Sequence, residues 1–392
     1  MTNTEDEIEF ARSLDSLLPG IAARADEAVE LRKIPSETIK ELREAGLMKA
    51  LQPKRYGGLE LDPIVLYRAA ARIGEVCPST AWVFGILGVH PWQLALFPDE
   101  TQAEIWGDDD SVLVASTYAP VGRVTRDEGG FRLTGQWPWS SGTDHCDWVM
   151  LGGVDLTDPA QPDMRTFLLP RKDYEIVDTW HSVGLQGTGT NDILVRDAFI
   201  PNARTLSFAD MSRCDCPGNA FNSNPIYRLP FASVFATAIA ATSLGIARGA
   251  LGCFREVLSK RIKIAYGEAA REDPHGQLRL AQTTSILDAG WLQLERNIVE
   301  LTEAVRAGEP ADLLLRARLR HDQAYAVRRA VEAIDGCFDA SGGSALRQTH
   351  PLQRFWRDLH GARHHAINDY EKAAEMYGQL LLGIDVGVQP ML

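Results

Sequence analysis

FASVFATAIAATSLGIARGAL, residues 231–251, is apolar enough to imitate a membrane span. Its uninterrupted apolar part is shorter than the ~20 residues a span needs. It also carries several Ser and Thr, and Arg248 closes it. A helix that is apolar on every side is what the centre of a helical bundle requires. The sequence beyond it agrees, with helical periodicity over residues 231–260, 277–307, 311–340 and 351–378. Long helices joined by short loops predict a four-helix bundle over residues 231–392.

Working back from that helix, the Asn- and Pro-rich residues 206–230 predict a connector. Between residues 111 and 205 the apolar period shortens. SVLVAS, FRLTGQW, DWVMLGG, RTFLLP, YEIV and DILVRDAFIP are short β-rich runs punctuated by Gly, Pro, Asp and Asn. They predict a compact antiparallel barrel or sandwich. Residues 1–110 read as helical. IPSETIKELREAGL places Pro35 where a first turn tolerates it and Gly46 where a helix stops. PSTAWVFGILGVHPWQLALF reads as an apolar helix interrupted near His90-Pro91. The predicted class is mainly α with a central β domain.

The 392-residue chain has a formal charge of -13. That argues against DNA, RNA or an anionic membrane as partner, since each calls for clustered Lys and Arg. The N-terminal MTNTEDEIEF is acidic, lacks a hydrophobic core and does not read as a signal peptide. Six scattered cysteines fit reduced thiols in the cytoplasm. Cys214-x-Cys216 has no second pair nearby to complete a metal site.

Four stretches carry candidate chemistry. WPWSSGTDH, residues 137–145, sets two indoles beside adjacent hydroxyls, an arrangement suited to a flat heteroaromatic ligand with a polar edge. Ser140 and Ser141 act as nucleophiles only beside a base, and no G-x-S-x-G elbow or P-loop is present. GLQGTG, residues 184–189, lies between strands and lacks the G-x-G-x-x-G order, so a dinucleotide loop is excluded. It is either a ligand-contacting loop or one that needs small residues. HGARHHAIND places His360 and His364 on one helical face and His365 with Asp369 on another. The first pair lacks the Glu of H-E-x-x-H and a third ligand. In the second, Asp369 would fix the His365 tautomer and raise its pKa toward acid–base work near neutrality, with a packed or solvated histidine equally open. His90, in an apolar helix break, reads by itself as a satisfied core histidine.

Further patterns join these into a family likeness. IPSETIKELREAGLMKALQPKRYGG has the form of an N-terminal helix-and-turn signature. LTGQWPWSSG stands at a strand position, GIARGAL is followed by Arg261 twelve residues after Gly249, and ASGGSAL holds the pair Gly342 and Gly343. With the helical, β, helical layout, the chain resembles the acyl-CoA dehydrogenases over nearly its whole length. One departure is decisive: the family's catalytic Glu, in a Tyr-Glu-Gly setting, is replaced here by RHHAIND. SSGTDH, GLQGTGT, SGGSAL and PLQRFWRDLHGARHHAIND look more like the oxygenase components of bacterial two-component phenol hydroxylases. Within that group the likeness is greatest to the secosteroid phenol hydroxylases of sterol-ring degradation.

The resemblance implies a monooxygenase that takes reduced flavin, FMNH2 or FADH2, from a separate NAD(P)H-dependent reductase. It would hydroxylate a phenol beside its hydroxyl through a C4a-hydroperoxyflavin, without a metal. Trp139 would pack on the isoalloxazine, with Ser141 at flavin N5 and Ser140 beside it. Trp137 would pack in the barrel. Arg261, Gly342, Gly343 and Ser344 would approach the phosphates of a flavin held partly by a neighbouring subunit, in a homotetramer formed through the C-terminal helices. His365 would lie near the reacting flavin carbon, His90 and Ser116 by the substrate hydroxyl, and Trp82 along the same pocket. The rivals are a flavin oxygenase acting on heterocyclic sulfur or nitrogen, an acyl-CoA dehydrogenase with a displaced base, and a non-catalytic helical scaffold.

Overall fold

The computed structural model describes residues 4–263 and 267–387, so the first three residues of the acidic N-terminus and the last five of the 231–392 segment lie outside the described residues. Helix α1 (Glu5–Ala23) opens on a capping box between Thr4 and Glu7. It is followed by α2 (Ala25–Leu31), α3 (Ser36–Glu44), α4 (Pro63–Gly74), α5 (Pro78–Leu94) and α6 (Asp99–Trp106). Helix α5 is buried along its whole length and runs unbroken through His90-Pro91, against the interruption expected from the sequence. Pro91 removes one N–H and leaves the Leu87 carbonyl without its helical donor. Packing on every side holds the helix together across that gap.

Strands β1 (Val114–Thr117), β2 (Arg123–Asp127), β3 (Gly130–Ser140), β4 (Trp148–Asp155), β5 (Asp163–Pro170), β6 (Glu175–Val177), β7 (Asn191–Pro201) and β8 (Thr205–Ser207) form two sheets. Their orders are β1-β4-β5-β8 and β2-β3-β7-β6. Phe131 of one sheet meets Phe167 of the other edge to face, 5.3 Å between ring centroids. Strand β1 pairs with β4 in parallel, and the remaining pairs of these two sheets are antiparallel. The sandwich is therefore not wholly antiparallel as the sequence suggested. The chain leaves β1 to build β2 and β3 in the second sheet, then returns in the same direction. Two strands have no signal in the sequence: β2, RVTRD, is a largely exposed sheet edge, and β8 lies where the connector was expected. Helix α7 (Phe208–Arg213) follows β8 directly and packs on β5.

The C-terminal part is helical: α8 (Phe231–Lys260), α9 (Pro274–Arg306), α10 (Leu313–Ala340), α11 (Pro351–Arg363) and α12 (Tyr370–Leu381), with a small hairpin, β9 (Ile262–Lys263) and β10 (Glu268–Ala269), after α8. The most apolar window of α8 has a mean hydropathy of 1.5, and 89% of it is buried inside the protein. Helices α4, α5, α9, α10 and α11 all pack on it. The fourth predicted helix, 351–378, is broken. Helix α11 ends at Arg363, His365 caps a short 3-10 turn at Ala366–Asn368, and Asp369 caps α12. Side chains that bond to nearby backbone compete with the helix. Here His365 Nδ1 takes the Ile367 N–H, Asn368 Nδ2 donates to the Ala362 carbonyl, and Asp369 takes the Lys372 N–H. The shared face expected of His365 and Asp369 therefore does not exist, while His364 still ends α11 one turn beyond His360.

Candidate active site

Strand β3 explains the double tryptophan. Trp137 pairs with Ile193 and Ser140 with Asn191, so β3 spends one residue more than β7 between the two pairs. This β-bulge carries Trp139 at φ 69, a left-handed conformation rare for a bulky residue. Trp137 stays buried, its indole N–H donating to the Gly152 carbonyl at 2.7 Å. Trp139 is pushed outward and is 66% exposed. Ser140 and Ser141 turn inward and are buried. A bond from Thr117 Oγ1 to the Pro138 carbonyl ties the bulge to β1.

The inward hydroxyls meet two other elements. Trp82 of α5 donates its indole N–H to Ser141 Oγ at 3.1 Å. Ser141 Oγ lies 2.9 Å from Thr190 Oγ1, which lies 2.5 Å from Thr188 Oγ1. Thr188 in turn donates to the Leu185 carbonyl at 2.8 Å. Ser140 Oγ is buried and has no hydrogen-bond partner among the described residues. The glycine loop that delivers Thr188 and Thr190 is wedged tightly. A Cβ on Gly184 would sit 2.1 Å from the Arg357 carbonyl oxygen, and one on Gly187 would strike the backbone of Ala28. Buried Asp358 of α11 fixes the loop by accepting the Leu185 N–H at 2.6 Å. Burial raises the Asp358 pKa to about 6. Two of the loop's glycines thus pack against backbone, while its threonines meet the serine at the end of β3.

His365 joins the cluster from the turn between α11 and α12. Its ring lies 5.6 Å from Trp82 and 6.2 Å from Phe235, centroid to centroid. Because Nδ1 accepts the Ile367 amide proton, the neutral ring carries its hydrogen on Nε2. Desolvation and then Arg320 push its pKa down to about 4. Asp369 therefore neither orients the ring nor raises its pKa, contrary to expectation. Arg320 on α10 is buried, its Nε and Nη1 without hydrogen-bond partners among the described residues. Burial lowers its own pKa to about 10.

His90 lies two turns along α5 from Trp82. Nδ1 contacts the Val114 carbonyl at 2.5 Å, so that nitrogen carries the hydrogen. Nε2 then accepts from the Ser116 hydroxyl at 2.9 Å. Burial lowers its pKa to about 4, and it too is neutral. An aromatic wall connects the two histidines: Phe235 meets His365 on one side and Tyr118, 5.5 Å away, on the other, and Tyr118 follows Ser116 closely in the chain. Trp82 with Ser141, then His365, Phe235 and Tyr118, thus form a chain of contacts that ends beside the His90–Ser116 pair.

Arg261, Gly342, Gly343 and Ser344 are elsewhere. Arg261 caps the far end of α8, about 39 Å along that helix from Phe235. Its Nη1 donates to the Ala340 carbonyl at 3.2 Å, and its guanidinium covers Gly342, which has φ 68. Gly343 and Ser344 are exposed. The other candidates join neither group. His360 meets the Trp356 carbonyl and Asp335, His364 is exposed at the end of α11, and the six cysteines are unpaired. Sequence reading missed Thr188, Thr190, Tyr118, Phe235, Arg320 and Asp358. Only the GTGT run hinted at any of them.

Residues 4–108 match the family described as acyl-CoA dehydrogenase, N-terminal domain, and residues 237–370 its C-terminal domain. The chain is 43% identical over 374 residues to the flavin-dependent monooxygenase, oxygenase subunit HsaA, of Rhodococcus jostii, covering 95% of this chain and 98% of that one. It is 32% identical over 380 residues to the p-hydroxyphenylacetate 3-hydroxylase oxygenase component of Acinetobacter baumannii, covering 96% and 90%. The crystal structure of the 3-HSA hydroxylase from Rhodococcus sp. RHA1 superposes with a TM-score of 0.94 at 42% identity, over 98% of this chain and 99% of that one. With this kinship over nearly its full length, the chain belongs to the flavin-dependent monooxygenase oxygenase components of the acyl-CoA dehydrogenase fold.

Proposed function

We propose that this oxygenase component hydroxylates a phenol beside its existing hydroxyl, using reduced flavin delivered by a separate NAD(P)H-dependent reductase. One observation carries the reading: a neutral His90–Ser116 pair at one end of an aromatic-walled region whose other end holds Ser141, Trp82 and His365. The residues at that second end suit a reduced isoalloxazine. An exposed indole at Trp139 offers it a face, and the unpartnered Ser140 hydroxyl and Ser141 offer polar contacts to an edge. Reduced flavin, when bound, would supply the two electrons that activate O2, from which the new hydroxyl oxygen comes. The chain supplies position, dryness and proton control. His90 Nε2, unprotonated, can accept a hydrogen bond from the phenol, directly or through Ser116, which lends the oxygen phenolate character and makes the ring more nucleophilic. His365 offers an Nε2–H from an uncharged ring. Trp82, Phe235 and Tyr118 exclude water.

The test is to mix the protein with reduced FMN or FAD and air, with and without phenols, and to measure catechol and H2O2. A secosteroid phenol is the first substrate to try. Catechol formed only when a phenol is present supports the proposal. Oxidation at sulfur or nitrogen of a heterocycle, with no catechol from any phenol, overturns it.

The distance from Arg261 to the His365 region supports a homotetramer in which each flavin is shared. A group about 39 Å along α8 from Phe235 serves a different subunit's flavin more readily than its own. Exposed Leu278, Leu292, Leu313, Leu314 and Leu346 on the same helical part supply apolar surface for such an interface.

A further inference from the structure

The three hydroxyls behind Ser141 are strung between two groups with no choice of role. At one end the Trp82 indole N–H can only donate. At the other the Leu185 carbonyl can only accept. Each hydroxyl between them has one proton. Thr188 must spend its proton on Leu185, because a 2.8 Å oxygen–oxygen contact with no proton between is repulsive. Thr188 then has only lone pairs for Thr190, so Thr190 must donate to it across 2.5 Å. Thr190 likewise has only lone pairs for Ser141, so Ser141 donates to Thr190 across 2.9 Å. The proton order runs one way, from Trp82 through Ser141, Thr190 and Thr188 to Leu185. All five residues are buried, so water does not readily reset it.

We infer that Thr190 and Thr188 are positioning residues that hold Ser141 as an acceptor, so that the site discriminates between flavin redox states at N5. With its proton committed and one lone pair taken by Trp82, Ser141 has a single lone pair left to offer. Reduced flavin carries a hydrogen on N5 and can donate to it. Oxidised flavin presents a bare nitrogen there, and two lone pairs face each other. The discrimination comes from two threonines that need not touch the flavin. The inference rests on Ser141 lying at the N5 edge, as proposed above.

The experiment is an anaerobic titration of the intact protein with FMN and FAD, each oxidised and dithionite-reduced, read by fluorescence and calorimetry. The wild type is expected to bind the reduced form more tightly. Thr190→Val frees the Ser141 proton to face oxidised N5. Thr188→Val removes the acceptor of Thr190 and lets the chain reverse. Each should narrow the oxidised-to-reduced Kd ratio by roughly three- to tenfold, the worth of one hydrogen bond. Thr190→Ser and Thr188→Ser keep the hydroxyls and should restore the ratio. Should Thr190→Val fail to fold, Thr188→Val carries the test from the far end of the chain. A wild type that prefers reduced flavin, with the ratio unchanged in both valine variants, overturns the proton-order inference and leaves the flavin reading standing. A protein that binds no flavin in either state overturns the flavin reading itself.

Discussion

Two histidines with opposite tautomers face one region, and their roles separate on substitution. His365→Ala should lower hydroxylation by roughly 100- to 10,000-fold, the usual span for a general acid or base, with folding intact by circular dichroism. His364→Ala, at an exposed position one residue earlier, should matter far less. Equal losses would remove His365 from the proposed role. Ser141→Ala should shift the outcome from catechol toward H2O2 while flavin oxidation continues. His90→Ala should slow ring hydroxylation without that shift, and the product-to-peroxide ratio tells the two apart. Acid stability tests the same charges. His90 and His365 sit at about pKa 4 in the fold, against about 6.5 unfolded. The unfolded chain therefore binds the extra protons, and stability falls as pH drops from about 6.5 to 4. Asp358 opposes this. Raised to about 6 from 3.8, it takes its proton earlier in the fold, so its burial costs most above pH 6. Asp358→Asn keeps an acceptor for Leu185 and should gain roughly 1–3 kcal/mol at pH 7.5 in urea melts, with the gain gone near pH 4. A gain that grows on acidification would mean that the carboxylate is paired in solution.

At the scale of the element, the bulge in β3 and the break after α11 make the site. Both were only half legible. A proline flanked by tryptophans was a bulge signal, because strand prolines keep to edges and bulges, yet the alternation around it still read as plain strand. HHAIND kept a helical spacing, and the caps that break it act through backbone contacts that spacing does not show. The roles of His90, Ser116, Ser141 and His365 were named from family likeness alone. Thr190 was not legible, because it meets Ser141 across 49 residues. Edge strand β2 escaped because Val124 is its single apolar residue, too little to show an alternation. The bulge makes its own prediction. Trp139 at φ 69 carries roughly 1–2 kcal/mol of strain that glycine would relieve. Trp139→Gly should therefore leave the thermal midpoint unchanged or higher while weakening flavin binding. A clear loss of stability would show that the indole packs against the protein instead.

For the whole molecule, the apolar stretch of residues 231–251 sits at the centre, and the helix it opens, α8, carries Phe235 near one end and Arg261 at the other. Arg261→Ala should weaken flavin binding without altering the Trp82–Ser141 neighbourhood, which tryptophan fluorescence reports. Light scattering at micromolar concentration should show a tetramer, and a fully active monomer would sink the shared-flavin proposal. A flavin shared between subunits, as proposed, would have a kinetic consequence. An enzyme whose cofactor spans two copies of itself cannot be diluted without penalty. Specific activity should fall as the protein concentration passes below the assembly constant, with a lag on reconcentration, and added flavin should hold the copies together by mass action. The resting concentration of the protein would then govern how much of its flavin it keeps.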